Sequence, residues 1–187
     1  MSGKPSYEQR IEIPSVCQVN LEDKTVTVTG PLGTLERTFP EPQTNIVLKD
    51  NELVVSTIRS RKSTRALVGT VIAHVRNMLT GVQHGYEYQM KIVYSHFPIT
   101  VEVKGKEVMI KNFIGERGVR KARVIGDVEI KTGEDDVTIS GINIEHVSQT
   151  AANIQLATKI RHKDRRVFLD GIYVLKKRKG EEVKSIV

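Results

Sequence analysis

Hydrophobic and polar residues alternate with a period of two along several short segments, and this alternation predicts β-strands. Residues 26–35 (VTVTGPLGTL) read as a strand, a glycine-containing turn and a polar strand, and 108–117 (VMIKNFIGER) repeats that order 82 positions later. Residues 51–57 (NELVVST) and 134–140 (EDDVTIS) each read as a turn followed by a strand. The sequence therefore indicates two copies of one unit.

Each copy continues into an amphipathic helix. In the first copy the apolar residues at i, i+4 spacing are Leu67, Val71, Val75 and Leu79. In the second copy the corresponding stripe consists of Val147, Ala151, Ile154 and Ala157. We expect Ser63 or Thr64 to cap the start of the first helix and Gly81 to follow its last turn.

This order of elements predicts an α+β fold with two tandem repeated domains, each an antiparallel sheet packed against one amphipathic helix. We expect the first repeat, with a short N-terminal extension, at 1–85, the second repeat at 86–180 and a C-terminal tail at 181–187. Residues 86–98 (YEYQMKIVYSHFP) open the second repeat as a strand that Pro98 stops.

The excess positive charge is concentrated in residues 159–180 (KIRHKDRRVFLDGIYVLKKRKG). This stretch holds nine basic and two acidic residues and so carries +7, the net charge of the whole chain, while 20 bases and 20 acids balance elsewhere. A sequence pI near 9.5 indicates an anionic partner. The alternative is a solvated charged edge that deters strand aggregation.

The centre of that stretch, 167–175 (VFLDGIYVL), is apolar and anchors the charged flanks to the domain. Asp170-Gly171 between two apolar runs predicts a hairpin turn or, alternatively, a bulge in one continuous strand. Charges held on a folded body lose less entropy on binding than charges on a flexible tail.

Candidate catalytic chemistry is sparse. The five histidines are scattered without metal-ligand spacing, no nucleophile or P-loop motif occurs, and the single Cys17 allows no internal disulfide. No apolar run approaches the ~20 residues of a membrane span. We expect no enzymatic activity, cofactor, metal or membrane partner, and a reducing, cytoplasmic setting.

A G-x-x-G sequence lies in 113–125 (FIGERGVRKARVI), followed by the basic residues Arg117, Arg120, Lys121 and Arg123. KH domains grip single-stranded RNA with such a loop between two helices. The alternating residues before it favour a turn between strands with glycines at positive φ. Aromatic residues are 5% of the chain, which argues against base stacking and favours phosphate contacts. A KH-like protein that binds single-stranded RNA stays open as an alternative.

Four longer motifs carry a resemblance: 66–98, 112–117 (NFIGER), 149–160 (QTAANIQLATKI) and 164–174 (DRRVFLDGIYV). They resemble the universal large-subunit ribosomal protein six family, in the branch that archaea and eukaryotes share. The residues of these motifs are similar to those of archaeal members. The resemblance covers roughly residues 10–178. The alternative is a KH-like single-stranded RNA-binding protein that acts off the ribosome.

The resemblance implies a structural ribosomal protein that binds large-subunit rRNA near the elongation-factor site, the stalk base and the sarcin–ricin loop. Its partners would be rRNA, neighbouring ribosomal proteins including the stalk base, and elongation factors nearby. Together with the charge pattern, it predicts RNA contacts at Arg117, Arg120, Lys121, Arg123, Lys159, Arg161, Lys163, Arg165, Arg166, Lys176, Lys177, Arg178 and Lys179. A secondary contact with RNA or protein is predicted in the first repeat at Arg59, Arg61, Lys62 and Arg65.

Overall fold

The computed structural model describes residues 6–58, 61–161, 163–164, 166–180 and 182–186. The chain divides into two units between His84 and Gly85. None of the helices within those ranges is long and apolar enough to cross a membrane.

The first unit combines two antiparallel sheets with a long helix. Its described elements follow in the order β1 (Tyr7–Glu12), β2 (Gln18–Glu22), β3 (Thr25–Gly30), β4 (Gly33–Thr38), β5 (Asn45–Lys49), β6 (Glu52–Thr57) and α1 (Lys62–His84). The strand orders are β1-β6-β5 and β2-β3-β4. Alternation along β3 buries Val26 and Val28 against the helix side of the unit, as a period of two requires.

Helix α1 buries the apolar stripe that its sequence predicts, including Val71, Val75 and Leu79. Two predictions about its ends are wrong. Ser63 and Thr64 lie inside the first turn, since α1 begins at Lys62. Gly81 is buried within the helix, which continues because the next apolar residues still reach the core, and Gly85 takes the positive φ of 71° beyond its end.

The second unit is built on the same plan with additions. Its described elements are β7 (Tyr86–Val93), β8 (Thr100–Lys104), β9 (Glu107–Lys111), a 3₁₀ turn (Phe113–Gly115), β10 (Arg120–Arg123), β11 (Glu129–Thr132), β12 (Asp136–Gly141), α2 (Ile144–Ala157), β13 (Gly171–Lys179) and β14 (Glu182–Ser185). The strand orders are β10-β9-β8 and β11-β12-β7-β13-β14.

Helix α2 begins where its sequence provides a cap. The Asn143 side chain accepts a hydrogen bond from the backbone N–H of Glu145 at 2.9 Å. Val147, Ala151 and Ile154 are buried against the sheets, which confirms the predicted stripe. The helix therefore fixes the position of its C-terminal end, where the basic stretch begins.

Matching strand orders confirm the repeated α+β fold. In the first unit β1 and β5 flank β6, just as β7 and β11 flank β12 in the second, and β2-β3-β4 corresponds to β8-β9-β10. The second unit extends the pattern, because β13 and then β14 continue the sheet beyond β7. The basic stretch of the sequence is thus an addition to the common unit.

The structure corrects two details of that addition. Asp170-Gly171 is neither a hairpin turn nor a bulge: Gly171 starts β13 opposite Val93, and the Asp170 carboxylate accepts a hydrogen bond from the backbone N–H of Ser95 at 3.0 Å. Since the first apolar run precedes the strand, only the second run joins the sheet. The predicted tail at 181–187 instead contributes β14, which pairs with β13.

Candidate nucleic-acid interface

Strand β13 distributes its basic residues over both faces of the sheet. Its register against β7 shifts between Val174 and Lys176, so a β-bulge reverses the side-chain alternation. Beyond it, Lys177 and Lys179 lie opposite the buried Tyr88 and Tyr86, on the core face, while Lys176 and Arg178 lie opposite Gln89 and Glu87 on the other. The bulge therefore presents cations on both sides of one strand.

Lys177 is half-buried on the core face of β13. Its Nζ lies 5.1 Å from the centroid of the Tyr88 ring, a cation–π distance. Burial raises the pKa of the Tyr88 hydroxyl, so the tyrosine side chain stays neutral up to a higher pH than usual. Strand β14 pairs Lys184 with Lys177 and adds a further cation to this edge.

Thr158 ties the end of α2 to the start of β13. Its buried hydroxyl accepts a hydrogen bond from the backbone N–H of Ile172 at 3.1 Å and donates to the carbonyl of Gln155 at 3.1 Å. The connecting residues between these two elements are therefore held at both ends. The sequence pattern did not single out Thr158, although a polar residue directly after an apolar helical stripe is a signal for such a link.

Two side-chain contacts link described residues of the connecting stretch. Arg166 forms a forked contact with Asp164, with Nε 3.1 Å from Oδ1 and Nη2 2.9 Å from Oδ2. This hydrogen-bonded guanidinium lowers the pKa of the Asp164 carboxyl. Lys163 Nζ lies 4.6 Å from the centroid of the Phe168 ring. Arg166 and Lys163 both remain exposed, so their outer surfaces can meet a polyanion.

Arg120 has a different role from its basic neighbours. Its guanidinium donates to both carboxylate oxygens of Glu116 at 2.9 and 2.6 Å, and to the carbonyls of Ala157 and Lys159 at 2.9 and 3.2 Å. Its Cζ lies 4.3 Å from the centroid of the buried Phe113 ring. The same hydrogen bonds lower the pKa of Glu116. We infer that Arg120 binds the loop after β9 to the end of α2 and leaves phosphate contacts to exposed residues.

Through Arg120, the structure brings two separate parts of the sequence together. Strand β10, the end of α2 and the start of the basic stretch line one surface hollow of about 330 Å³, whose basic lining residues are Arg120, Lys121, Lys159 and Arg161. Lys121 also forms an ion pair with Glu107 at 3.0 Å. Arg117 and Arg123 are also exposed.

The glycines of the G-x-x-G sequence divide between two conformations. Gly115 takes a φ of 71°, as predicted, whereas Gly118 is not at positive φ. The loop joins β9 to β10, which pair as an antiparallel hairpin. A KH loop joins two helices, so this topology contradicts the KH-like alternative.

The predicted basic patch of the first unit is only partly described. Arg61 and Lys62 are exposed at the start of α1, and the Arg65 guanidinium lies 5.4 Å from the centroid of the Tyr7 ring. Arg59 lies outside the described residues, as does Arg165 of the second unit. Within the ranges that the structure describes, no group of three His, Cys, Asp or Glu side chains could hold a metal ion.

Comparison with known proteins identifies the family. The family model described as Ribosomal protein L6 matches residues 13–85 and 97–171, one segment in each unit. This chain belongs to the ribosomal protein L6 family. Ribosomal protein L6 is a family of structural, non-catalytic proteins, in agreement with the prediction of no enzymatic activity.

Three archaeal relatives illustrate the match. The large ribosomal subunit protein uL6 of Aeropyrum pernix is 46% identical over 167 residues, which cover 89% of this chain and 92% of the relative. The uL6 proteins of Staphylothermus marinus and Methanobrevibacter smithii are both 48% identical, covering 91% and 92% of this chain and 94% and 97% of the relatives. The resemblance to archaeal L6 proteins that the motifs indicated is thereby confirmed.

Proposed function

We propose that this L6-family protein is a structural component of the large ribosomal subunit and binds large-subunit rRNA, mainly through its second unit. Its relatives carry the name of large ribosomal subunit proteins, which supports this assignment. A ribonucleoprotein component of this kind works in translation and belongs in the cytoplasm with the ribosome. Its partners are rRNA and neighbouring ribosomal proteins.

One observation carries the proposal: the second unit extends the common repeat by β13 and β14, and this extension brings the cations. Four consecutive basic residues end β13, and the hollow lined by β10 lies at the end of α2. A folded surface rich in Lys and Arg suits phosphate contacts, which position a protein on RNA without reading its bases.

The residues we propose for RNA contact keep most of the predicted set. They are Arg117, Lys121, Arg123, Lys159, Arg161, Lys163, Arg165, Arg166, Lys176, Lys177, Arg178 and Lys179.

In this proposal the site on the subunit lies near the elongation-factor site, the stalk base and the sarcin–ricin loop, as the family resemblance implies. The first unit faces neighbouring proteins or solvent, and its patch around Arg61 and Lys62 meets either RNA or a stalk protein.

The test removes two outward charges from β13 with the double substitution Lys176→Ala and Arg178→Ala. Binding of the full-length protein to refolded large-subunit rRNA is measured over a range of salt concentrations. Log affinity falls as log salt rises, and each phosphate contact adds about 0.9 to the steepness of that fall. The double variant should therefore have a slope that is shallower by about 1.8, and its affinity near 0.1 M salt should be lower by roughly 50-fold.

The matched control removes two exposed lysines from other strands, Lys49→Ala in β5 and Lys131→Ala in β11, which forms the opposite edge of the five-stranded sheet. It changes the net charge equally and should leave the slope almost unchanged. Equal losses in the two variants would show that binding follows net charge alone, and the proposed interface would be wrong.

A further inference from the structure

A second, apolar hollow opens at the C-terminal end of α2. It has a volume of about 320 Å³, and its principal apolar side chains are Leu156, Phe168, Leu169 and Tyr173. Helix α2 contributes the first of these, the connecting stretch the next two and β13 the last. The chain therefore gathers them from three elements that are separate in sequence.

Three of these four side chains are exposed to solvent. The exposed fractions are 61% for Leu156, 57% for Leu169 and 40% for Tyr173. Single exposed apolar residues are normal on a protein surface, but several that converge on one concavity mark a binding site. Leu156 lies off the buried stripe of α2, so packing within the unit does not account for it.

The apolar hollow adjoins the basic hollow described above. Leu156 and Lys159 line both, and Arg161 and Lys121 lie in the basic one. Among the described residues that line either hollow, none is acidic. An apolar recess thus stands directly beside a cluster of cations, with Lys159 between them.

Hydrogen bonds hold this arrangement in place. The Tyr173 hydroxyl donates to the carbonyl of Leu169 at 3.2 Å, which links Leu169 to β13. A Cβ on Gly171 would lie 2.8 Å from the Tyr173 ring, so glycine at this position allows the ring to fold back along the strand. Together with the link through Thr158, these contacts form the recess before any ligand arrives.

We propose that the apolar hollow receives one unpaired nucleobase of large-subunit rRNA, while a backbone phosphate next to that base lies in the basic hollow. The two hollows match the two chemically different parts of a nucleotide, a flat base with apolar faces and an anionic phosphate. Stacking on aromatic and apolar side chains tolerates any base and adds affinity without reading sequence. The low aromatic content argued against stacking, but a single base needs only the rings that the fold brings together here.

This inference rests on the proposed function, because it presupposes that the second unit binds rRNA. The test uses the full-length protein with the double substitution Leu156→Ala and Leu169→Ala. Leu156 lies in α2, where alanine is well tolerated, and both side chains are exposed, so folding should be preserved, which circular dichroism checks. The matched control is Val16→Ala with Leu32→Ala, at residues that are 62% and 53% exposed in the first unit.

Binding to refolded large-subunit rRNA should weaken roughly ten-fold in the hollow variant, because the two leucine side chains that enclose the base are lost, and its salt dependence should not change. The control should bind like the unmodified protein. Loss of a phosphate contact would instead make the salt dependence of the affinity shallower. The salt dependence therefore distinguishes the loss of a base contact from the loss of a phosphate contact.

A second measurement locates the base. Ultraviolet crosslinking of the protein–rRNA complex should join a base to the peptide that contains Phe168 and Tyr173. An abasic nucleotide at the crosslinked position, in an rRNA fragment that still binds, should weaken binding by the unmodified protein and have little further effect on the hollow variant.

The outcomes separate the two proposals. If charge removal from β13 weakens rRNA binding but the hollow variant binds normally, the hollow inference is overturned and the proposed function stands. Crosslinking of these residues to a ribosomal protein in assembled subunits, and not to rRNA, would also overturn it in favour of a protein contact. Failure of the unmodified protein to bind rRNA would overturn both.

Discussion

Replacing Arg120 distinguishes a residue that stabilises the fold from one that binds RNA. The side chain is 26% exposed and makes hydrogen bonds to one carboxylate and two backbone carbonyls, with an aromatic ring beneath it. Arg120→Ala removes all of these contacts at once. The sequence pattern placed Arg120 among the RNA-binding residues, whereas the structure predicts that its loss mainly destabilises the second unit.

The expected magnitude follows from the individual contacts. The carbonyls of Ala157 and Lys159 each lose a charged donor, at about 1 kcal/mol apiece. The cation–π contact with Phe113 contributes about 1 kcal/mol. The ion pair with Glu116 adds well under 1 kcal/mol because both side chains are partly exposed. The free energy of unfolding should therefore fall by about 3 kcal/mol, which lowers the Tm of a unit of about 100 residues by 12 °C or more.

Tyrosine fluorescence is a suitable assay for this unit. The protein has no tryptophan, and four of its five tyrosines follow residue 85. Urea unfolding followed by tyrosine emission should give a lower midpoint for Arg120→Ala. Arg123→Ala, on the same strand with an exposed side chain, is the matched control and should change the free energy of unfolding by less than about 0.5 kcal/mol.

The opposite pattern would refute this reasoning. If Arg120→Ala unfolded at the same urea concentration as the unmodified protein, while its rRNA affinity and salt slope fell as for a lost phosphate contact, Arg120 would be an RNA-binding residue. Arg120→Lys tests the geometry, because it keeps the charge but loses the planar fork. It should retain less than half of the stabilisation.

Two further predictions concern stability. A Cβ on Gly30 would lie 2.6 Å from Cγ2 of Val82, so Gly30→Ala should lower the free energy of unfolding by about 1–3 kcal/mol, whereas Gly69→Ala in α1, with nothing within 4 Å, should raise it by about 0.5–1 kcal/mol. Urea midpoints in the reverse order would contradict the close packing of β3 on α1. The hydrogen bonds from Arg120 lower the pKa of Glu116 from 4.5. The stabilisation of the fold by this pair is therefore complete above about pH 4.5 and is lost as the pH falls through the lowered pKa. Between about pH 7 and about pH 3, the urea midpoint of Glu116→Gln should fall less steeply than that of the unmodified protein. Identical pH profiles would contradict a stabilising pair between Glu116 and Arg120.

Local patterns were sufficient to predict most of the secondary structure. The alternation around Val26 and Val28 and the stripe through Val71 and Val75 depend only on which face of each element is buried. Their repetition in the second half predicted the paired domains. The ends of α1 were less predictable, because tertiary packing of the helix beyond Gly81 outweighed the glycine signal.

The candidate interface depended on contacts between distant parts of the chain. Charge counting located the basic stretch, but it could not distinguish Arg120, whose partners lie 37 and 39 residues away, from exposed cations on either side of it. The apolar hollow was equally hidden, since its side chains come from three elements.

Whether a residue joins a strand or a helix follows largely from its neighbours in the chain, because backbone sterics and the 2.0 and 3.6 residue periods act over a few positions. Which strand pairs with β7, where β13 takes its bulge and which cations remain exposed are settled by partners far away in sequence. A shift of one residue in that pairing would reverse the faces of Lys176 and Lys177, so the charged surface exists only once the register of the folded sheet is set.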